Sequence, residues 1–339
     1  MDQNTHFSAL SSVILLLARA IDSYGYDSRE LFEKVGLDHS KLKDPLARFS
    51  YQAVTRLWAL ARDTIGDPCL GIKVASFWHP TTLHALGYSW LASNSLEEAF
   101  ECMSRYARLL NTGAQGVLQL KKTVDAYHLI LDPGKMNPQP HSVTIDATMA
   151  MLMTMCRTAY GENLRPVRVL FQHPNPGCSS CFTDFFDAPV EFSQPETALW
   201  LDINVVTTPL ATANPELVRI NDQIVTDYLA NLDRHDVTMQ VRAKLIERLP
   251  SGNVTEEKIA SSINVSQRSL QRRLKEQGMS FTQLLENTRS ELGLQYVRDP
   301  QRSFNEIAFL LGFSEPGNFS RAFRRWYGKS PSQYRESVH

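Results

Sequence analysis

The stretch Gly312–Tyr334, GFSEPGNFSRAFRRWYGKSPSQY, sets basic side chains between large aromatics. Arg321, Arg324, Arg325, Lys329 and, just beyond, Arg335 alternate with Phe319, Phe323, Trp326 and Tyr327. On a helix of 3.6 residues per turn, Phe319, Phe323 and Trp326 share one face. Asn318, Arg321 and Arg325 follow at i, i+3 and i+7 on an outer stripe. Such a helix is anchored in a small domain by its aromatics and leaves amide and guanidinium groups projecting. Pro316 falls in its first turn, where a missing N–H costs little.

Upstream, the plan appears twice. TEEKIASSINVSQRSLQRRLKEQG (255–278) and SFNEIAFLLGFSEPGNFSRAFRRWYG (303–328) each open with a helix carrying Ile-Ala: Ile259–Ala260 and Ile307–Ala308. Each then turns and starts a second helix at a serine, Ser266 or Ser314, a residue type suited to capping it. The second segment also opens with Ser303-x-x-Glu306, a capping-box pattern. Helix, tight turn, helix is the helix-turn-helix plan, whose second helix enters the major groove. In the first copy Leu270 and Leu274 form an i, i+4 pair for the core, with Arg268, Gln271, Arg272 and Lys275 on the other side. Arg pairs two-fold with guanine, Asn and Gln with adenine, and Lys meets phosphate. The expected DNA-binding residues are Ser266, Gln267, Arg268, Gln271, Arg272 and Lys275 in the first unit. In the second they are Ser314, Asn318, Arg321 and Arg325. The joining stretch 281–299 reads as a helix of about 18 residues, ~27 Å long, enough to hold two reading helices roughly one DNA turn apart.

Charge supports a polyanion partner. From Gln240 to the end there are 16 Lys and Arg against 10 Asp and Glu, while the preceding residues hold 19 against 26. An acidic body joined to a basic tail domain is the pattern of a nucleic-acid binder. The whole chain has 339 residues, 43% of them hydrophobic, a length for about two domains. The longest apolar run, Val13–Ala18, is far too short for a membrane span of ~20 residues, and no basic start or cleavage site makes it a signal peptide. A cytoplasmic protein is expected. No phosphate-cradling glycine loop, Gly-x-Ser-x-Gly elbow or His-Glu-x-x-His motif is present, so an enzyme with a helical appendage is the weakest reading. No cofactor is expected. The five cysteines are scattered, unlike a disulfide framework. The pair Cys178 and Cys181 in CSSC has two readings, an incidental Pro/Gly-rich loop and a redox-responsive switch.

The body reads as α+β, with helices packed on a small sheet. Residues 8–110 are mostly helical in pattern, starting with an amphipathic helix over Ser11–Tyr24. Residues 116–132 alternate and break at Val124–Asp125, as a strand pair does. Further strands are expected at Val167–His173, Pro189–Phe192 and Leu199–Ile203, around a Met-rich helix at Val143–Tyr160. Pro215–Leu232 is a helix whose stripe of Leu217, Ile220, Ile224 and Tyr228 packs either on its own domain or, at near-heptad spacing, on a second copy of the chain. Residues 233–238 are expected to be a polar linker. This divides the chain into an N-terminal domain, 1–232, and an all-α domain, 239–339, of seven short helices.

Residues 240–336 resemble the DNA-binding domain of the AraC/XylS transcription regulators, through VSQRSLQRRLKEQGMSF, LQYVRDP and EIAFLLGFSEPGNFSRAFRRWYGKSPSQYR. The resemblance implies that Arg268, Gln271 and Arg272 of the first reading helix and Asn318 and Arg321 of the second face DNA. Pro316 and Gly317 stand where some relatives carry long polar side chains, which shifts base reading toward the first helix. YGYDSRELFEKVGLD, DPLARFSYQAVTRLWALARDTIGDPCLGIKVA, LHALGYSWLASNSLEEAFECMSRYARLL and FFDAPVEFSQPETALWLD resemble the arabinose-binding-like regulatory domain of the ornithine-utilisation and virulence-regulator type. The resemblance implies a sequence-specific regulator of promoter DNA, an activator touching RNA polymerase, controlled by a small effector or by homodimerisation. An effector is expected between helices and sheet, against Trp78, Trp90, Tyr106, Tyr127, Met151 and Met155; the competing reading makes these six plain core residues.

Overall fold

A computed structural model describes residues 7–336 apart from Asp125, Lys135, Asp236, Asn253, Gln277 and Gly278. The chain divides into two compact units between Leu229 and Ala230.

In the N-terminal unit β1 (Ser8–Leu10) and β2 (Arg48–Ser50) form a two-stranded antiparallel ribbon. A five-stranded sheet follows from β3 (Leu118–Lys122), β4 (Ala126–Leu131), β5 (Arg168–Leu170), β6 (Val190–Glu191) and β7 (Thr197–Asp202), in the order β3-β4-β7-β5-β6. Only β5 and β6 run parallel. The register sets Tyr127 opposite Leu201 and Leu129 opposite Leu199, so one apolar face meets the helices. The Ser142–Tyr160 helix is central, with Met149, Ala150, Met153, Met155 and Cys156 fully buried. The α+β reading of this half holds, and all five strands of the sheet lie where alternation places them.

The ribbon β1–β2 lies inside the stretch that reads as mostly helical. Three residues contain too little alternation to register. What holds the ribbon is tertiary: the Arg48 guanidinium donates to Ser8 Oγ at 2.7 Å, Ser8 O at 2.8 Å and Leu109 O at 2.8 Å.

Asp146, on the central helix, is buried and accepts a hydrogen bond from His173 Nε2 at 2.8 Å. Burial pushes the Asp146 carboxyl up, with His173 pulling the other way. Burial pushes His173 down, but the hydrogen bond and charge of Asp146 outweigh it and leave the imidazole above its usual value of 6.5. A raised histidine contributes stability that is complete below the unfolded pKa and is lost as pH rises through the folded one. A raised carboxyl acts with the same sign. The contribution of this pair is therefore expected to fall from pH 6 to pH 8, at ~1.4 kcal/mol per unit of displaced titration, while His84, His128 and His141, lowered by burial, tilt the profile the other way. His173→Gln should remove the falling part of the profile in urea titrations. An unchanged profile would show that this pair does not couple folding to pH.

The C-terminal unit holds the helices Val237–Arg248, Glu256–Ser262, Gln267–Glu276, Phe281–Val297, Phe304–Leu310, Pro316–Tyr327 and Pro331–Glu336, seven short helices as expected. Two small cores organise them. Val241, Leu245, Ile259, Leu270 and Leu274 fill one; Val297, Ile307, Leu311, Phe319 and Phe323 fill the other. The two turns are built alike. The Val265 amide donates to Ala260 O at 3.0 Å and the Asn264 amide to Ser261 O at 3.1 Å. Phe313 and Gly312 repeat this onto Ala308 O at 3.0 Å and Phe309 O at 2.9 Å. This pair of bonds is the Schellman ending, which needs a left-handed residue; Asn264 (φ 57°) and Gly312 (φ 69°) supply it.

The expected linker 233–238 is corrected. The helix Pro215–His235 runs through Asp233, Arg234 and His235, and the next helix begins at Val237. Neither proline nor glycine is present there to stop it. Asp236 lies outside the described residues. Among the described residues no helix is long and apolar enough to cross a membrane.

Candidate functional site

In the first unit, the Gln267–Glu276 helix starts at Ser266, whose Oγ accepts the Ser269 amide at 3.2 Å. Leu270 and Leu274 are wholly buried, while Ser266, Gln267, Arg268, Gln271, Arg272 and Lys275 are exposed. Ser266, Arg268, Ser269, Gln271, Arg272 and Lys275 border one shallow surface concavity. The periodicity of the sequence thus converges on a single polar, cationic face. Sequence reasoning missed Glu256, on the preceding helix. Its Oε2 accepts from Gln267 Nε2 at 3.0 Å and Gln271 Nε2 at 2.9 Å, holding both amides beside the arginines.

In the second unit Ser314 is not the cap. The helix begins at Pro316 with Glu315 before it, because the fixed φ of proline suits the first helical position. Ser314 Oγ instead accepts from Asn318 Nδ2 at 3.5 Å. Arg321 donates to Asn318 Oδ1 at 2.6 Å, so these two act as a pair on the exposed face. Arg325 is drawn away. Its guanidinium meets Glu286 of the Phe281–Val297 helix at 2.6 Å, and Trp326 Nε1 donates to the same oxygen at 3.0 Å. Trp326, then Arg325, hold the Glu286 carboxyl below its usual range.

Two arginines that look like part of the basic surface brace the fold. Arg289 donates through Nε to Leu311 O at 2.9 Å and through Nη2 to Gly312 O at 3.2 Å, its guanidinium 4.8 Å from the Phe313 ring centre. It thereby clamps the turn of the second unit. Arg335 donates to Val297 O at 2.8 Å and Arg302 O at 2.9 Å. No local signal marks either role, since both partners are distant in sequence.

In the N-terminal unit a cavity lies where the helices Ser11–Ser23, Tyr51–Ile65 and Ser142–Tyr160 meet the sheet. Of the six expected pocket residues only Met151 lines it. Trp90 is buried and donates to Met155 O at 3.0 Å, and Tyr127 stacks on Phe100 at 5.9 Å. Trp78 is buried, and the Tyr106 hydroxyl faces Asp222 Oδ2 at 3.4 Å. These five side chains pack elsewhere because the pocket wall is set by where helices diverge, which aromatic content does not reveal.

On the Pro215–His235 helix, Leu217, Ile220 and Ile224 are 48%, 41% and 42% exposed. Tyr228 leaves that stripe. It is half-buried, and its hydroxyl donates to Leu46 O at 3.3 Å. Val225 takes the core position instead.

Cys178 and Cys181 flank the start of the Ser179–Phe186 helix, and their thiols hydrogen-bond with that of Cys69. Burial pushes Cys69 and Cys181 up to about 12 and also raises Cys178. Protonated thiols are poor nucleophiles, which argues against the redox reading. Among the described residues no group of three His, Cys, Asp or Glu is placed to hold a metal ion.

Residues 25–210 match the family described as the arabinose-binding domain of AraC transcription regulator, and residues 259–337 match a helix-turn-helix domain. The ornithine utilization regulator of Pseudomonas aeruginosa is 31% identical over 327 residues, spanning 94% of this chain and 93% of that protein. The transcriptional regulator VirS of Mycobacterium tuberculosis is 30% identical over 193 residues, 56% of each chain. Among solved structures, the transcriptional regulator CdpR from Pseudomonas aeruginosa superposes with a TM-score of 0.45 at 18% identity, covering 94% of this chain and 97% of that one.

Proposed function

The chain belongs to the AraC family of DNA-binding transcription regulators, and from that premise we propose that it is a promoter-specific activator acting in the cytoplasm. Its matched domains and relatives are regulators, not enzymes. In this reading residues 239–339 grip double-stranded promoter DNA and contact RNA polymerase. Residues 1–232 bind a small effector and join two copies into a homodimer. The single observation that carries the DNA-binding reading is the repeated unit. Two matching turns each present an exposed helix bearing Arg and amide side chains over its own buried core.

Specificity is assigned mainly to Arg268, Gln271 and Arg272, and Lys275 is assigned to phosphate. Arg272→Ala is expected to weaken binding to the upstream DNA of the protein by ~1–3 kcal/mol while hardly changing binding to random duplex. Lys275→Ala should weaken both and lower the salt slope by about 1. Fluorescence anisotropy at two salt concentrations reads both effects. Unchanged discrimination in Arg272→Ala would remove that residue from base reading.

The homodimer reading rests on the exposed Leu217, Ile220 and Ile224 at i, i+3 and i+7 of one helix. Leu217→Asp with Ile224→Asp is expected to convert a dimer to a monomer in sedimentation. An unchanged sedimentation coefficient would move the interface elsewhere.

A further inference from the structure

The cavity of the N-terminal unit has a volume of about 200 Å³. That exceeds the ~150 Å³ of an engineered apolar cavity that stays dry and takes up benzene. Its walls include Ile14, Val54, Trp58, Leu131 and Met151, and none of the described residues that line it is charged or a histidine.

Several polar groups on the wall are occupied. Thr55 Oγ1 donates to Tyr51 O at 3.0 Å, and Thr148 Oγ1 to Thr144 O at 2.8 Å, each one helical turn back. Asn111 Oδ1 accepts the Gly113 amide at 2.9 Å. The Tyr51 hydroxyl differs. The residue is 5% exposed, and the hydroxyl faces Met136 Sδ at 3.9 Å, a weak acceptor. Burial raises its pKa to about 12, against a smaller pull downward from the Thr55 side chain hydrogen-bonded to it, so it stays a proton donor. A carboxylate or ammonium entering here would lose its water and gain no counter-charge. A neutral molecule with one acceptor oxygen would lose little and would give Tyr51 a proper partner.

Building on the reading that residues 1–232 bind an effector, we propose that this cavity is the effector site and takes an uncharged, largely apolar molecule. Its size is that of a substituted single ring or a short branched hydrocarbon, with one oxygen to accept from Tyr51. Amino acids and other charged metabolites are excluded from it.

Calorimetry and thermal melting of the full chain test this with four probes: toluene, acetophenone, benzoate, which is nearly isosteric with acetophenone but charged, and L-lysine. Toluene and acetophenone are expected to bind and raise the melting temperature, with benzoate about tenfold weaker or worse. Tyr51→Phe should weaken acetophenone about fivefold and leave toluene unchanged. Thr148→Phe, which fills the cavity, should abolish both. Tyr51→Phe keeps the test decisive if the filled variant does not fold. Benzoate or L-lysine binding as tightly as acetophenone overturns the proposal, as does failure of both neutral probes to bind. Equal losses of toluene and acetophenone in Tyr51→Phe overturn the assignment of Tyr51. Anisotropy on upstream DNA is read separately. Specific DNA binding with no probe binding sinks the cavity proposal and leaves the regulator intact. Loss of specific DNA binding in the wild type would sink the regulator reading, whatever the probes do.

Discussion

Gly312→Ala is expected to destabilise the C-terminal unit by about 2–5 kcal/mol and to remove the second helix-turn-helix from DNA binding. Two costs add. Gly312 sits at φ +69°, where an L side chain is strained by about 1–2 kcal/mol. The added Cβ would also lie 2.5 Å from the carbonyl oxygen of Leu249, a backbone atom that cannot swing aside. On the other side the turn is held by Arg289, through its bonds to Leu311 O and Gly312 O. Gly328 is the control within the same unit. Its φ is +74°, yet a Cβ there meets nothing within 4 Å. Gly328→Ala should therefore cost only the strain, ~1–2 kcal/mol. In a unit of about a hundred residues, each kcal/mol moves the melting temperature by ~4–8 °C. The two variants should be well separated in thermal melts and in DNA titrations. Equal melting would show that the Leu249 contact relaxes and that backbone conformation alone sets the cost.

Gly71→Ala is expected to be destabilising although alanine is the better helix former. Gly71 lies in the helix Leu70–Ala75, where propensity alone favours alanine by ~1 kcal/mol. Against this, the new Cβ would stand 2.5 Å from Asp146 Cβ, 2.7 Å from Val143 O and 3.0 Å from the Ala147 nitrogen. Two of these are backbone atoms of the central helix, and Asp146 is tied to His173 at 2.8 Å. Overpacking of this kind costs about 1–3 kcal/mol, occasionally more, and here it wins because none of these three neighbours is a flexible chain end. Each kcal/mol should lower the melting temperature of the larger unit by ~2–4 °C. Gly66→Ala makes the comparison: φ +70° and open space around the added carbon. A Gly71→Ala protein that melts at or above the wild type would mean that the two helices separate without loss.

Much of the C-terminal unit is legible in its sequence because its determinants are local. Ile259–Ala260 and Ile307–Ala308 recur at the same distance from Asn264 and Gly312, and both turns close with the same pair of backbone bonds. The inward positions Leu270, Leu274, Phe319 and Phe323 follow from helical spacing and are all wholly buried. A capping box absent from that reading opens the connecting helix: Ser280 and Gln283 cap each other reciprocally. The strands of the larger sheet are equally readable from alternation, whereas the three-residue ribbon strands β1 and β2 depend on Arg48.

By itself, the sequence determined the two-part architecture, the doubled helix-turn-helix and the exposed polar face from Ser266 to Lys275. Caps, turns and helix faces are set by residues within a turn or two of one another. The tertiary structure alone decided which basic residues are tied to other parts of the fold. Arg289, Arg325 and Arg335 are taken up by partners 22, 39 and 38 residues away. It also decided that Tyr228 packs inward while Leu217, Ile220 and Ile224 do not, and that Tyr51, Trp58 and Thr148, rather than Trp78 and Trp90, line the cavity. Cavities and ion pairs arise where separate segments meet or fail to meet, and no periodicity within one segment encodes that.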